Sequence, residues 1–425
     1  MSIAEIYNLF RKYPNICTDS RHIVADSLFF ALKGPNFNGN AYAGEALEKG
    51  AAYAIVDEAE YAGADRCLLV EDALKCLQEL GTHHRRQSRA TIIALTGSNG
   101  KTTTKELISR VLNCKYKTLS TEGNLNNHIG VPLTLLRLRN DTEMAVVEMG
   151  ANHQGEIGFL SGLAEPDFGY ITNFGKAHLE GFGGVEGVIK GKSELYTYLL
   201  GAGKHVFFNA DDPIQREKLN GYQKKIGFSS SDPDYFQIEN LGADPCVRLR
   251  AEGRIIETQL SGGYNYPNCA IAVLVGTYFD IPLPDIKEAL EGYVPANNRS
   301  QIVHKEDLEI ILDAYNANPS SMEVALRHLA GIKAPKKIAI LGDMFELGAE
   351  SRKEHQAIAD LGADLEFDRV YLVGETFSKI RTGARQFVTY EDLAAFLRSH
   401  PIKGPATVLI KASRGMALER VLEFL

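Results

Sequence analysis

Three observations predict an α/β protein of three domains. The chain has 425 residues, more than one hydrophobic core usually serves. Short β-branched apolar runs alternate with amphipathic helical stretches over most of its length. The pattern changes character twice, near residues 86–90 and around "YVPANNRSQ", which sets expected domains at 1–88, 89–295 and 296–425.

Each domain rests on its own elements. The first has the apolar runs "SLFFALKG", "AAYAIVDE" and "CLLVED" and a helical stretch from Asp72 to Arg85, a small α/β unit ending in the charged "HHRRQSR". In the second, "TIIALTG", "MAVVEMG", "DFGYITN" and "KHVFFNAD" read as strands, each followed by a turn and a helix. That order predicts a mostly parallel sheet of P-loop type, covered on both faces. The third repeats the alternation in "LEIILDAYN", "KIAILGDM", "RVYLVGE" and "ATVLIKASRG", the pattern of a Rossmann-like, doubly wound sheet.

Composition excludes several classes of function. Hydrophobic residues make up 44% and charged residues 24% of the chain, too balanced for a disordered protein. A formal charge of -8 argues against a nucleic-acid partner bound through a general basic field, while leaving room for a local anion pocket. The six cysteines are scattered without a CxxC pair and read as reduced thiols. The start lacks the features of a signal peptide and no apolar run is long enough to span a bilayer, so no membrane insertion and a cytoplasmic location are expected.

The chemistry begins at "IIALTGSNGKTTTKELISRVL". A β-branched strand runs into Gly97-Ser98-Asn99-Gly100-Lys101-Thr102, and Leu107, Ile108, Val111 and Leu112 then mark one face of a helix. Strand, glycine turn and helix N-terminus aim unpaired backbone N–H groups at one point, where an anion is stabilised by those donors and by the helix dipole. Lys101 is expected over the outer phosphates of a nucleotide and the Thr102 hydroxyl on Mg²⁺. The spacing is unusual: the common P-loop needs a glycine where this chain has Leu95, and here the first glycine is Gly97. Glu148, closing "MAVVEMG", places a carboxylate at the carboxyl edge of the sheet, either as a Mg²⁺ ligand or as a solvated strand end. His178, in "TNFGKAHLEGFG", reads as a ligand or as a packed side chain.

"TGSNGKT" resembles the compact ATP loop of the Mur ligase and folylpolyglutamate synthase superfamily, whose members form amide bonds with ATP. The resemblance extends across the chain and implies ATP and Mg²⁺ as cofactors. "EMG" and "TNFGKAHLEGFG" are similar to the family's magnesium-binding glutamate and histidine loop, implying Thr102 and Glu148 at one metal, and His178 with Lys192 at a second. Lys192, in "KGKSELY", matches the family's carbamylated lysine, with Lys190 as its rival. Modification makes physical sense, because a free lysine with a pKa near 10.4 would repel Mg²⁺ whereas a carbamate offers it oxygen.

Further matches distribute the substrates. "GGYNYPNCAIAV" resembles the family's nucleotide-contacting asparagine motif, with Tyr264 where a histidine is usual; it nominates Asn265 and Asn268 for the purine, helix capping by Asn268 being the alternative. Gly97 to Thr103, including Thr103, complete the ATP set. Arg299 matches the arginine of a domain-joining "GR", with Asn298 in place of the glycine, and is expected to act on the γ-phosphate. "DAYNANPSSM", "LGDMFELG" and "KASRGMALE" resemble the family member that adds D-alanyl-D-alanine to UDP-N-acetylmuramoyl-tripeptide, and these two compounds are the expected partners of a monomeric enzyme. By that likeness Asp313 and Asn316 belong to the nucleotide side, and Asn318, Ser320, Lys411, Ser413 and Arg414 face the dipeptide. In the first domain "TDSR", with Ser20 and Arg21, and "FFALKGPNFNGNAY" resemble the family's uridine-nucleotide region, with Asn38 and Asn40 in place of its aspartate and histidine; Asn124 joins this substrate set. Arg21 pairs either with the diphosphate or with a surface carboxylate.

Overall fold

The computed structural model describes residues 1–63, 65–296 and 298–425; Asn297, within the second expected hinge, lies outside the described residues. The first sheet has four parallel strands in the order Asn15–Cys17, Ser27–Phe30, Tyr53–Val56, Cys67–Leu69. Ser27–Phe30 is buried on both faces because helices cover both. Leu28 and Phe30 pack with Ile6, Leu77 and Leu80 of two helices, while Phe29 faces Ala46 and Leu47 of a third.

The central sheet has nine strands. Its parallel part runs Phe236–Ala243, Lys225–Ser229, His205–Asn209, Phe168–Ile171, Thr91–Thr96, Met144–Glu148, Thr118–Ser120. All four strands expected from the sequence are present, and Leu107, Ile108, Val111 and Leu112 form the buried face of helix Lys101–Leu112. Thr91–Thr96 is the switch strand. The chain leaves it toward one edge, returns through Met144–Glu148 beside it, and crosses to Phe168–Ile171 on its other side, which opens a crevice at its carboxyl end. An antiparallel extension, Cys246–Ala251 and Arg254–Ser261, was not anticipated. Its signal was the alternating burial of "RIIETQLS", joined to its neighbour by a two-residue turn at Glu252 and Gly253, both at positive φ.

The third sheet is ordered Gln301–Lys305, Leu308–Asp313, Ala406–Lys411, Lys337–Gly342, Arg369–Val373, Arg385–Phe387, parallel except for its first strand. Non-sequential neighbours on either side of Ala406–Lys411 give the doubly wound form.

The charged segment after the first unit is a weld. Arg85 of helix Ala73–Gln87 pairs with Asp167 at 2.8 Å and donates to the Ala164 carbonyl at 3.1 Å, and Arg86 reaches Glu165 at 2.6 Å. A Cβ at Gly81 would stand 3.1 Å from the Pro132 Cα, so the helices touch closely where this glycine lies.

Candidate functional site

The carboxyl end of the switch strand turns sharply into its helix, and two glycines make that possible. Gly97 has φ 145°, and a Cβ there would lie 1.9 Å from Thr172 Oγ1. Gly100 has φ 79° and meets the Asn268 amide at 2.7 Å in the same sense. The turn between them is gripped from the next strand. Thr172 Oγ1 donates to the Asn99 carbonyl at 2.6 Å, and Asn173 both accepts from Asn99 N–H at 3.1 Å and donates to its carbonyl at 3.0 Å. The shortened spacing of the loop is thus supplied with a second wall by Thr172 and Asn173, which sequence reasoning had not singled out.

Lys101 folds back over its own loop, donating to Gly97 O at 2.7 Å. Burial pushes its ammonium below the ordinary lysine value, Glu148 opposes that shift and Arg299 adds to it.

Glu148 is 2% exposed at the end of its strand. Oε1 accepts from Asn126 at 2.8 Å, while Oε2 is buried with no hydrogen-bond partner among the described residues. A carboxylate oxygen held dry and unpaired is costly unless a cation completes it, so the donor chemistry fits a hard divalent ion. The reading of Glu148 as a solvated strand end is excluded by its burial.

His178 lines the same cavity in the left-handed conformation, φ 52°. Its Nδ1 lies against the Glu346 carboxylate, out of line for a hydrogen bond. This contact holds Glu346 below the usual carboxylate range.

Lys192 and its rival separate cleanly: Lys190 is exposed, whereas Lys192 is 0% exposed on helix Val185–Gly201. The Lys192 amine donates to the Ala151 carbonyl at 3.1 Å and sits 4.8 Å over the Phe182 ring. Burial drives it well below the lysine range, and the nearby Lys101 charge lowers it further. It stands behind the cavity wall, whereas His178 forms part of that wall. Among the described residues no three His, Cys, Asp or Glu side chains converge as a metal cluster, so metals here depend also on a hydroxyl, phosphate oxygens and any oxygen added to Lys192.

The cavity, about 730 Å³, lies between the central and third domains. Ser98 to Thr103, Glu148, His178, Asn265 and Asn268 contribute from the central side; Arg299, Asp313, Asn316, Asn318, Ser320 and Lys411 come from the other, with exposed Asn124 at the rim. Arg299 stacks on Tyr315 at 3.5 Å. Asn298 takes the left-handed turn expected of a glycine, φ 57°, which asparagine tolerates, so the turn survives the replacement.

Several expected contacts are committed elsewhere. Asn268 accepts from Thr104 at 3.0 Å and donates to Asn265 at 2.9 Å, and the Asn265 amide reaches Ser261 O at 2.8 Å. This network ties two helices together, and no side-chain capping bond forms at the start of helix Tyr266–Tyr278. Lys411 pairs with Asp313 at 2.5 Å. Asn318 caps helix Pro319–Gly331 and bridges to Asn99 at 2.7 Å. Ser413 accepts from Phe345 N–H at 2.9 Å, Arg414 pairs with Glu419 at 3.0 Å, and neither lines the cavity. Ser20 and Arg21 also lie outside its lining; Arg21 is paired with Asp19 on its own turn at 2.6 Å. Asn40 is buried in a network with Asn38 and Asp57.

Cradle, dry carboxylate and facing arginine fit a multidomain enzyme built to hold a nucleotide and a divalent ion, and comparison with known proteins gives its class. Family models match in three consecutive blocks: the Mur ligase family catalytic domain over residues 12–84, the Mur ligase middle domain over 95–276, and the Mur ligase glutamate ligase domain over 298–414. The chain belongs to the Mur ligase family and is an ATP-dependent, ADP-forming ligase. It is 33% identical to the UDP-N-acetylmuramoyl-tripeptide–D-alanyl-D-alanine ligase of Bacillus subtilis (strain 168), over 96% of this chain and 92% of that one. The enzyme of the same name from Escherichia coli (strain K12) is also 33% identical, over 96% and 93%. Among solved structures, MurF from Acinetobacter baumannii superposes with a TM-score of 0.85 at 33% identity, covering 96% and 92%. MurF ligase from Thermotoga maritima, in complex with ADP, gives 0.84 at 28% identity, covering 96% of each chain.

Proposed function

We propose that the chain joins D-alanyl-D-alanine to UDP-N-acetylmuramoyl-tripeptide, as a cytoplasmic monomer, through an acyl phosphate. The observation that carries this reading is the single cavity that brings the cradle, Glu148 and His178 against Arg299 and the third domain.

The tripeptide's terminal carboxylate attacks the γ-phosphorus of ATP and ADP leaves. The dipeptide amine then attacks the acyl carbon, and inorganic phosphate leaves with the bonding pair of the mixed anhydride and takes up the proton that the amine gives up. Two anions must approach in the first step, so cations placed beforehand supply most of the acceleration. Backbone N–H groups of Gly100 to Thr103, at the start of the cradle helix, receive the phosphates, Lys101 exchanges Gly97 O for their oxygens, and Arg299 faces the γ-phosphate from the third domain. Glu148 and Thr102 would hold Mg²⁺, which neutralises charge on the transferring phosphoryl group. Burial disfavours the ammonium form of Lys192, and its neutral amine has an electron pair to add to CO₂ with loss of a proton, giving a carbamate oxygen that could join His178 around a second ion. Closure of the third domain over the cavity keeps water from the anhydride.

The test is phosphate release by the purified protein with ATP, Mg²⁺ and the UDP-tripeptide. Release that requires D-alanyl-D-alanine supports the reading. Release with single amino acids and none with the dipeptide overturns it.

A further inference from the structure

The loop from Asn173 to Glu180 connects two parts of the reaction site. At its start Asn173 clamps the cradle through Asn99; farther along it presents His178 to the cavity. Between these points Ser98 Oγ of the cradle donates to the Gly175 carbonyl at 2.7 Å, and the other side-chain hydrogen bonds and ion pairs that hold the loop come from the third domain. The Lys176 backbone N–H donates to Ser320 Oγ at 2.8 Å, and its ammonium pairs with Glu354 at 2.8 Å. Glu346 lies against His178, and its carbonyl accepts from Glu180 N–H at 3.4 Å. Asn318 adds the bridge to Asn99. Ser320 and Glu354 sit on helices Pro319–Gly331 and Ser351–Asp364, which pack together, so these contacts form or break as a unit.

We propose that Lys176 and Glu354 are positioning residues forming a latch that completes the phosphoryl-transfer site only once the third domain has docked. The proposal rests on the ligation reading above, in which that domain brings the amine acceptor. The Glu354 side chain is 9% exposed and Lys176 is its ion-pair partner among the described residues. Without Lys176 the docked state holds a largely buried carboxylate with no ion-pair partner among the described residues, a cost relieved when the domains part and water reaches it. Removing the lysine therefore shifts the population away from the docked form and leaves each domain intact. Because the same loop carries His178 and steadies Asn99, undocking also loosens the groups that act on ATP. The device makes activation of the carboxylate wait for the acceptor's domain, so that the anhydride does not form facing water.

The experiment compares wild type, Lys176→Ala, Glu354→Ala and the swapped pair Lys176→Glu with Glu354→Lys. Each single variant is expected to lower kcat about tenfold, the population change equivalent to about 1.4 kcal/mol. KM for ATP should stay within about twofold, and more phosphate should be released per amide formed. The swapped pair should recover most of the lost kcat and coupling. A merely structural role would leave the ratio of phosphate to amide unchanged. Wild-type coupling in Lys176→Ala, or a swapped pair no better than the single variants, overturns the latch. If wild type itself shows no dipeptide-dependent turnover, the ligation reading has failed, and solution X-ray scattering judges the latch separately. Expansion of Lys176→Ala reversed by the swap then supports it, and an unchanged radius overturns it.

Discussion

The phosphate cradle and the Ser20–Arg21 turn are both candidate anion holders in the sequence, Arg21 with a surface ion pair as its alternative, yet the molecule constrains them to opposite degrees. Asn99 in the cradle is tied to Thr172, Asn173 and Asn318, so the turn has its shape before any ligand arrives. Arg21 is 80% exposed and pairs with Asp19 two residues away, a bond that water and salt weaken readily. A site built on several buried neighbours is specified by the fold; one built on a solvated side chain takes its geometry from the ligand.

The largest expected effects therefore fall on the cradle. Lys101→Ala should lower turnover by a factor of ~10²–10³, on the order of the 3–4 kcal/mol that one well-placed electrostatic group supplies. Stability should hold or rise, because the wild-type ammonium is disfavoured by burial. Steady-state kinetics beside thermal unfolding checks both, and turnover within tenfold of wild type would break the comparison. Gly97→Ala should fail differently: a methyl group overlapping Thr172 Oγ1 at positive φ costs roughly 1–3 kcal/mol and weakens ATP-analogue binding as the turn shifts. Denaturant unfolding and nucleotide titration would show it.

Next in size is Lys192, buried behind the wall. Lys192→Ala should abolish ligation, and added short-chain carboxylates should restore part of it by supplying the missing oxygen near the site. Full activity without rescue would remove the carbamate from the mechanism. At the exposed pole, Arg21→Ala should raise KM for the UDP-substrate by at most about tenfold and leave kcat and melting temperature unchanged, since an exposed ion pair contributes about 0–1 kcal/mol. An unchanged KM would reduce Arg21 to its pairing with Asp19.

The same contrast explains what could be read in advance. Period and spacing revealed the strands, the cradle helix and Glu148, because burial forces those patterns on a sequence. Thr172 and Asn173 were invisible because their role depends on two strands becoming neighbours across the switch point. Asn318 and Ser413 looked available for substrate, but side-chain amides and hydroxyls serve equally as caps and braces, and only the packed chain shows which use they have. Glu346 and Glu354 carried no local signal, since their partners come from another domain.

The smallest effect concerns the weld joining the two poles. His84, on helix Ala73–Gln87, lies between the Leu138 carbonyl at 2.8 Å and the Tyr7 hydroxyl at 3.2 Å, with Phe10 edge-on at 5.0 Å. These partners suit a neutral ring that donates from Nε2 and accepts at Nδ1. Burial lowers its pKa below 6.5, with neighbouring His83 acting in the same direction and the Leu138 carbonyl against it. Below pH 6.5 the unfolded chain then binds a proton that the folded one resists, so stability is complete above that pH and declines as pH falls toward the folded-state value. His84→Gln should flatten this acid-side decline without abolishing it, because burial also lowers His328 and His355. Urea unfolding of both proteins from about pH 7.5 to 5 measures the difference. Parallel curves would mean that His84 accepts its proton without loosening the joint, and that Arg85, Arg86 and the close contact at Gly81 hold the first domain without it.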